Sequence, residues 1–399
     1  MLKKLVSSVL IQSCGTVASF ATVWIISNKI GMAQQGLFAI VKSWIDFLIV
    51  LGCFGFPQSV IFVVNKYKID ASHLVRLCMT YILLLIIPFF LLSLIWSSFY
   101  TDKVSESFFL LIISLSSVFL VGHAILRGLF LTKNDGVMFS LLSILPSISL
   151  LFCFVLGMKI NNVSVYYAYF LSAVISISFA FYILFEPGVF KKRRLQRDAM
   201  TELWEKGGDA FLQAISVVTL PMLTYMFLSI SGIRSDEIGG FNIATYLYMM
   251  FSIPFGMIAP ILFNRWSKSF VLNEIRYEVK YFLWVSVGIF ILMIIISNYM
   301  DFIMSFLPWD DLSNIIPPAK ILAYAAAPML VCRVITAYFL AIGLFSVNTK
   351  LYLLKTFFSV FIMIALYIFN YISIISMAFV WLFGDILLAI TFVYRYFIK

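Results

Sequence analysis

The chain is 399 residues long, 63% hydrophobic and only 12% charged, with a mean hydropathy of +1.05. Soluble globular chains average about 45–50% apolar and about 25% charged residues, so these proportions exclude a soluble enzyme or binding module and indicate a polytopic membrane protein. The net charge of +10 would suit a nucleic-acid partner, but its distribution along the chain assigns it to membrane orientation instead.

Apolar windows separated by polar breaks predict spans at 7–27, 36–64, 76–96, 108–131, 137–157, 163–185, 208–231, 239–263, 279–297, 320–344, 351–368 and 373–394. The first follows Lys3 and Lys4 and stays apolar to Ile26, the length of a span rather than of a cleaved leader. The second contains LFAIVKSWIDFLIVLG, residues 37–52, with Lys42 and Asp46 four residues apart on one helix face. Arg127 lies at the end of the fourth span, and Asp209 at the start of the seventh. The longest hydrophilic stretch, EPGVFKKRRLQRDAMTELWEKG (186–207), separates two sets of six spans. Its KKRR run reads as an anchoring linker rather than a nucleic-acid patch. The expected organisation is therefore an N-terminal lobe (1–185), a basic linker (186–207) and a C-terminal lobe (208–399). Pro221 sits in the middle of the seventh span, Arg333 in the tenth and Asp385 in the twelfth.

With the N-terminus placed in the cytoplasm, 21 of the 28 Lys and Arg residues fall at inner ends of spans, Lys350 and Lys355 among them, and 5 at outer ends. This bias supports the span count and puts both termini inside. Residues 36–57 also align with the second half under a shift of 203, where Gly36, Phe38, Ile40 and Pro57 meet Gly239, Phe241, Ile243 and Pro260. Repeats with an even number of spans insert in the same sense, which implies parallel lobes related by an axis along the membrane normal.

Five cysteines lie in apolar runs without metal-type or disulfide-type spacing, and His73 and His123 have no ligand company. No G-x-x-x-x-G-K-[ST] phosphate loop is present, and no cofactor is expected.

The stretch KIGMAQQGLFAIVKSWIDFLIVLGCFGFPQSVIFVV resembles the first loop and second span of oligosaccharide flippases. These are the polysaccharide transporters, or Wzx-type O-antigen flippases, of the multidrug/oligosaccharidyl-lipid/polysaccharide exporter (MOP) superfamily. AILRGLFLTKNDG, at the end of the fourth span, is similar to the Arg-Gly exit of that family. The resemblance implies an all-α membrane protein of about twelve helices, in two six-helix lobes around a central cavity that opens alternately to each side. It implies transfer of an undecaprenyl-diphosphate-linked oligosaccharide, an O-antigen or capsule repeat unit, from the inner to the outer leaflet of a bacterial plasma membrane. In lipid II flippases of the superfamily, arginines of the first, second and eighth spans engage the diphosphate. This chain departs from that set: its first span has no basic residue in its core, and its eighth has only Arg265, at the inner end.

Ionisable residues inside spans mark where work is done, because each is costly in hydrocarbon. Lys42, Arg333 and Arg127 are the expected cavity cations for a diphosphate. Asp46, Asp385 and Asp209 are the expected ion-pair or coupling carboxylates, with Asp385 a potential partner of Arg333. These three cations and three anions balance, as purely structural pairing would also require. Tyr225, Tyr246 and Tyr338, with Tyr248 and Tyr324, are placed to stack on sugar rings or to pack, and Pro221 is the expected hinge. The partners expected are the lipid-linked oligosaccharide, membrane lipids and other polysaccharide-assembly proteins, with a monomeric chain. Two alternatives stay open: a cation-coupled multidrug exporter of the same superfamily, and an O-antigen polymerase or ligase. The first calls for an acidic cavity, and the second for a large outward loop.

Overall fold

A computed structural model describes residues 2–57, 59, 80–99, 107–132, 136–159, 164–184, 197–266, 272–306, 309, 312–342 and 344–398. All regular structure among these residues is helical. In chain order the helices are α1 (Leu2–Ile25), continued by a π-helical turn at Ile26–Ile30, then α2 (Met32–Cys53), α3 (Ile86–Ser97), α4 (Ser107–Thr132), α5 (Gly136–Lys159) and α6 (Val165–Leu184). There follow α7 (Arg197–Ile230), α8 (Ser235–Trp266), α9 (Leu272–Asn298), the short α10 (Met300–Ser305), α11 (Ile316–Ala341), α12 (Phe345–Ile368) and α13 (Ile374–Ile398). Ten segments among the described residues are long and apolar enough to cross a membrane. The chain is thus a multi-pass all-α membrane protein. The other two expected spans correspond to α3, an apolar helix of 12 residues, and to α8, 32 residues that include Asn242 and Thr245. A helical segment at 80–84 precedes α3 and breaks at Leu85, three residues before Pro88, which lacks the N–H needed to continue the ladder.

Two elements differ from the prediction. The stretch 186–207 is only partly a linker: 186–196 lie outside the described residues, but 197–207 form the first turns of α7. The loop expected at 298–319 contains α10.

The chain divides into two compact units. The first comprises Met1–Ile25 and Ile40–Val218. There α4 packs against α3, α5 and α6, and α5 also packs against α1. With few apolar contrasts to exploit in lipid, these helices are joined by small hydroxyls and aromatic pairs. Trp44 of α2 stacks on Trp96 at 5.1 Å and donates its indole N–H to Ser93 Oγ at 3.0 Å, and Ser93 in turn accepts from Ser114 at 3.2 Å. Pro146 inside α5 leaves the Leu142 carbonyl without its helical donor. The ring of His123, only 3% exposed, hydrogen-bonds that backbone group from α4, which gives this histidine a structural role. At the end of α2, Phe54 (φ 43°) and Gly55 (φ 71°) adopt left-handed conformations. A Cβ on Gly55 would collide with the Gly207 carbonyl, so the end of α2 and the start of α7 meet backbone to backbone. The ring of Phe54 stacks on Phe211 at 4.8 Å, and Phe56 meets Trp204 edge-on at 5.1 Å.

The second unit comprises Ile26–Ala39 and Thr219–Lys399. Its central helix is α11, which packs against α8, α9, α12 and α13 through a nearly unbroken buried face. Small Ala325, Ala326 and Ala327 permit that close approach on several sides. Helix α7 ends in this unit by a Schellman motif: Gly232 is left-handed (φ 76°), Ile233 N–H bonds the Leu228 carbonyl, and Gly232 N–H that of Ser229. Asp236 and Glu237 then occupy the first turn of α8, where the helix dipole favours acids.

The repeat becomes a contact here. A Cβ on Gly36 would run into the Ser235 carbonyl, and a Cβ on Gly239 into the Met32 carbonyl. Met32 and Ser235 are themselves 203 residues apart, as are Gly36 and Gly239, so the two approaches are equivalent under the sequence shift. That reciprocity is what a local two-fold between α2 and α8 requires. Phe38 and Phe241, and Ile40 and Ile243, are all buried to at least 99%.

Candidate functional site

In the first unit, α2 buries Val41, Trp44, Ile45 and Leu48 at helical spacing, which turns Lys42 and Asp46 to another side. The two form the expected i,i+4 ion pair, with side chains 34% and 43% accessible. A paired ammonium and carboxylate on an accessible face in mid-span favours a polar path over hydrocarbon. Arg127 lies farther along, on α4. Its guanidinium sits over the ring of Phe139 at 5.4 Å, its Nε is buried without a hydrogen-bond partner, and it has no carboxylate partner among the described residues. The Asp209 side chain lies outside the described residues.

In the second unit, the expected pairing of Asp385 with Arg333 is not formed. Asp385, 1% exposed, is ion-paired with Lys355 and accepts a hydrogen bond from the Tyr248 hydroxyl at 2.8 Å. Charge counting assigns Lys355 to the inner end of a span. Instead α12 begins at Phe345, so Lys355 lies ten residues in, about 15 Å along the helix at 1.5 Å per residue. Arg333 is left without a carboxylate among the described residues, and its Nε is buried and unpartnered. With Lys355 included, the charges assigned to spans are four cations against three anions, so the even balance gives way to an excess of positive charge.

The aromatic candidates separate. Tyr225 is 4% exposed and its hydroxyl donates to Asn242 Oδ1 at 2.8 Å; Tyr338 is 3% exposed and packs edge-on against Tyr396 at 5.3 Å. Both rings are interior packing in this conformation, not open faces for a sugar. Tyr246 is half-buried. Tyr248, by contrast, joins the candidate site through its hydrogen bond to Asp385. Pro221 sits inside an unbroken α7, three residues past the Val218–Thr219 boundary between the compact units.

Lys355 and Tyr248 were the residues that sequence reasoning undervalued. One signal was available: a lysine after LYLL, in a segment otherwise apolar to Ile368, is as much inside a helix as at its mouth.

Similar folds carry this architecture. The chain superimposes on a lipid II flippase, MurJ, in an inward closed conformation, with a TM-score of 0.73 at 13% identity, covering 97% of this chain and 86% of that one. It also matches an inward-facing multidrug resistance MATE family transporter of the MOP superfamily, with a TM-score of 0.71 at 13% identity over 99% and 97% of the two chains. A MOP superfamily transporter from Pyrococcus furiosus gives 0.66 at 13% identity over 99% and 93%. At these identities the likeness is one of fold. Comparison with curated protein sequences gives no match. The family model for polysaccharide biosynthesis proteins matches residues 1–270, about two thirds of the length. The chain belongs to the polysaccharide biosynthesis protein family, in a MOP-type transporter fold.

Proposed function

We propose that this protein is a flippase that carries a diphosphate-linked oligosaccharide lipid, an O-antigen or capsule repeat unit, from the inner to the outer leaflet of a bacterial plasma membrane by alternating access. The observation that carries this reading is the pair of within-span arginines with a buried, unpartnered Nε and no carboxylate among the described residues, Arg127 toward the end of α4 in one unit and Arg333 within α11 in the other. An unpaired guanidinium in a membrane interior is costly, and a doubly charged diphosphate offers it bidentate acceptors. The Lys42–Asp46 pair fits the same task, since a passing phosphate can replace Asp46 as the acceptor of Lys42. The excess of cations disfavours organic cations as solutes, although multidrug exporters share the fold. Membership of a polysaccharide biosynthesis family supports a glycan rather than a drug. Deleting the gene in a strain with no redundant flippase tests the reading. Lipid-linked repeat units should accumulate on the inner leaflet, and normal delivery to the outer leaflet would refute it.

A further inference from the structure

Asp385 is the residue of the C-terminal half with the most to account for. A carboxylate 1% exposed in a membrane helix must have its charge matched. Both of its oxygens are engaged by donors, Oδ1 by the Lys355 ammonium and Oδ2 by the Tyr248 hydroxyl. Two donors on one carboxyl group supply the charge-assisted pairing that a carboxylate buried in a membrane helix calls for. The groups that face this pair come from two other helices and from α12 itself. Tyr248 belongs to α8, Cys332 and Arg333 to α11, and Tyr352 to α12 beside Lys355 itself. Cys332 feels the charges of Asp385, Lys355 and Arg333 together, and Tyr248 those of Asp385 and Arg333, so these side chains form one cluster. Ser359, one turn beyond Lys355, is fully buried with an unpartnered hydroxyl, and both it and the Lys355 stem lie against the bare Cα of Gly384.

The cluster holds two cations and one anion, and only one cation is spent. Arg333 has a free Nε, while Lys355 is held by a partner that could release it. A carboxylate and a phosphate are competing acceptors for the same ammonium, and the diphosphate as a whole carries two negative charges against the carboxylate's one. Once Lys355 turns to a phosphate oxygen, Asp385 retains only the Tyr248 hydroxyl. A buried carboxylate in that state is far more costly than a neutral carboxyl.

We propose that Lys355 is a second cation of the diphosphate site, held in reserve by Asp385, and that headgroup binding at Arg333 draws it away while Asp385 takes up one proton. The inference rests on the reading of the solute as a lipid diphosphate. In the exchange, the Lys355–carboxylate hydrogen bond breaks and a Lys355–phosphate bond forms. The proton comes from water and binds Asp385, with the Ser359 hydroxyl beside the pair as an unused acceptor. Release of the headgroup reverses each step. By linkage, proton uptake on binding means that acidification tightens binding.

The test is calorimetric titration of the purified full-length protein with a short-chain prenyl-diphosphoryl-N-acetylglucosamine. This diphosphate diester has no titratable group near neutral pH. Measured in two buffers of different ionisation enthalpy, the wild type should take up close to one proton per probe bound. Asp385→Asn should bind with no uptake, and Lys355→Met should bind about tenfold or more weakly, also with no uptake. The double variant Lys355→Met/Asp385→Asn removes both charges together, so it keeps the cluster's charge and guards against misfolding. It should behave like Lys355→Met. Wild-type binding without proton uptake, or uptake unchanged in Asp385→Asn, would overturn the inference and leave the diphosphate reading standing. If the folded wild type does not bind the probe, the diphosphate reading itself fails, and this inference with it.

Discussion

Replacing Gly36 or Gly239 by alanine should destabilise the protein, against the usual preference of helices for alanine. Each glycine is the fifth residue of its helix, and Gly→Ala in a helix interior normally gains about 0.5–1 kcal/mol. Here the added Cβ meets a backbone carbonyl oxygen well inside van der Waals distance, that of Ser235 in one case and of Met32 in the other. A carbonyl cannot swing aside as a side chain can, so α2 and α8 would have to move apart. Overpacking of this kind costs about 1–3 kcal/mol. The collision outweighs the propensity gain, and a net loss of about 1–2 kcal/mol remains. For a cooperative unit of roughly 200 residues this corresponds to a melting temperature lower by about 2–8 °C. Because the two contacts are equivalent under the 203-residue shift, both variants should lose similar amounts. Gly288 in α9 is the control, since nothing lies within 4 Å of a Cβ placed there. Gly288→Ala should melt at or slightly above the wild type. Thermal melts followed by size-exclusion fluorescence in detergent would show the ordering. If Gly36→Ala and Gly239→Ala melt like Gly288→Ala, the reciprocal crossing is wrong.

Two further substitutions separate pairing from transport. Asp46→Asn should retain transport because it leaves Lys42 free for phosphate, whereas Lys42→Met should lose it at equal expression; equal loss in both, with rescue by the Lys42→Met/Asp46→Asn double variant, would make the pair purely structural. Pro221→Ala removes a residue that costs a helix interior about 3 kcal/mol relative to alanine, so it should raise the melting temperature and slow flipping. Unchanged flipping in a stabilised Pro221→Ala variant would remove the hinge role.

Much of the scaffold was legible because hydropathy alone sets where helices lie in a membrane. The spans from α4 to α7 and from α11 to α13 sit within a few residues of the apolar windows, apart from extensions of polar turns such as 197–207 on α7. The repeat was visible as four identities, and its meaning emerged only as Gly36 and Gly239 met through their neighbours' carbonyls. The Lys42–Asp46 pair was readable because both members lie on one helix, four residues apart. The Lys355–Asp385 pair was not, because its members lie on α12 and α13, and no local spacing says which faces of two helices meet. Charge itself misled there: Lys355 lies inside the 351–368 window, four residues from its start, yet as a lysine it counts with the basic residues of a helix end. Tyr225 and Tyr338 were indistinguishable in sequence from open aromatic platforms; only the Asn242 hydrogen bond and the Tyr396 ring show them to be core.

The central claim is that cations in each half carry a lipid diphosphate through the membrane. Its most direct test is flipping in vesicles of bacterial lipid, reconstituted with purified protein and a fluorescent undecaprenyl-diphosphate oligosaccharide, read by loss of signal to a membrane-impermeant quencher. The wild type should equilibrate the lipid between leaflets. Arg333→Ala and Arg127→Ala, reconstituted at equal density, should each slow this by about tenfold or more, as expected for the loss of a charge-assisted contact worth about 1.5–3 kcal/mol. Wild-type rates in both variants, or no faster exchange with wild type than in empty vesicles, would contradict the account.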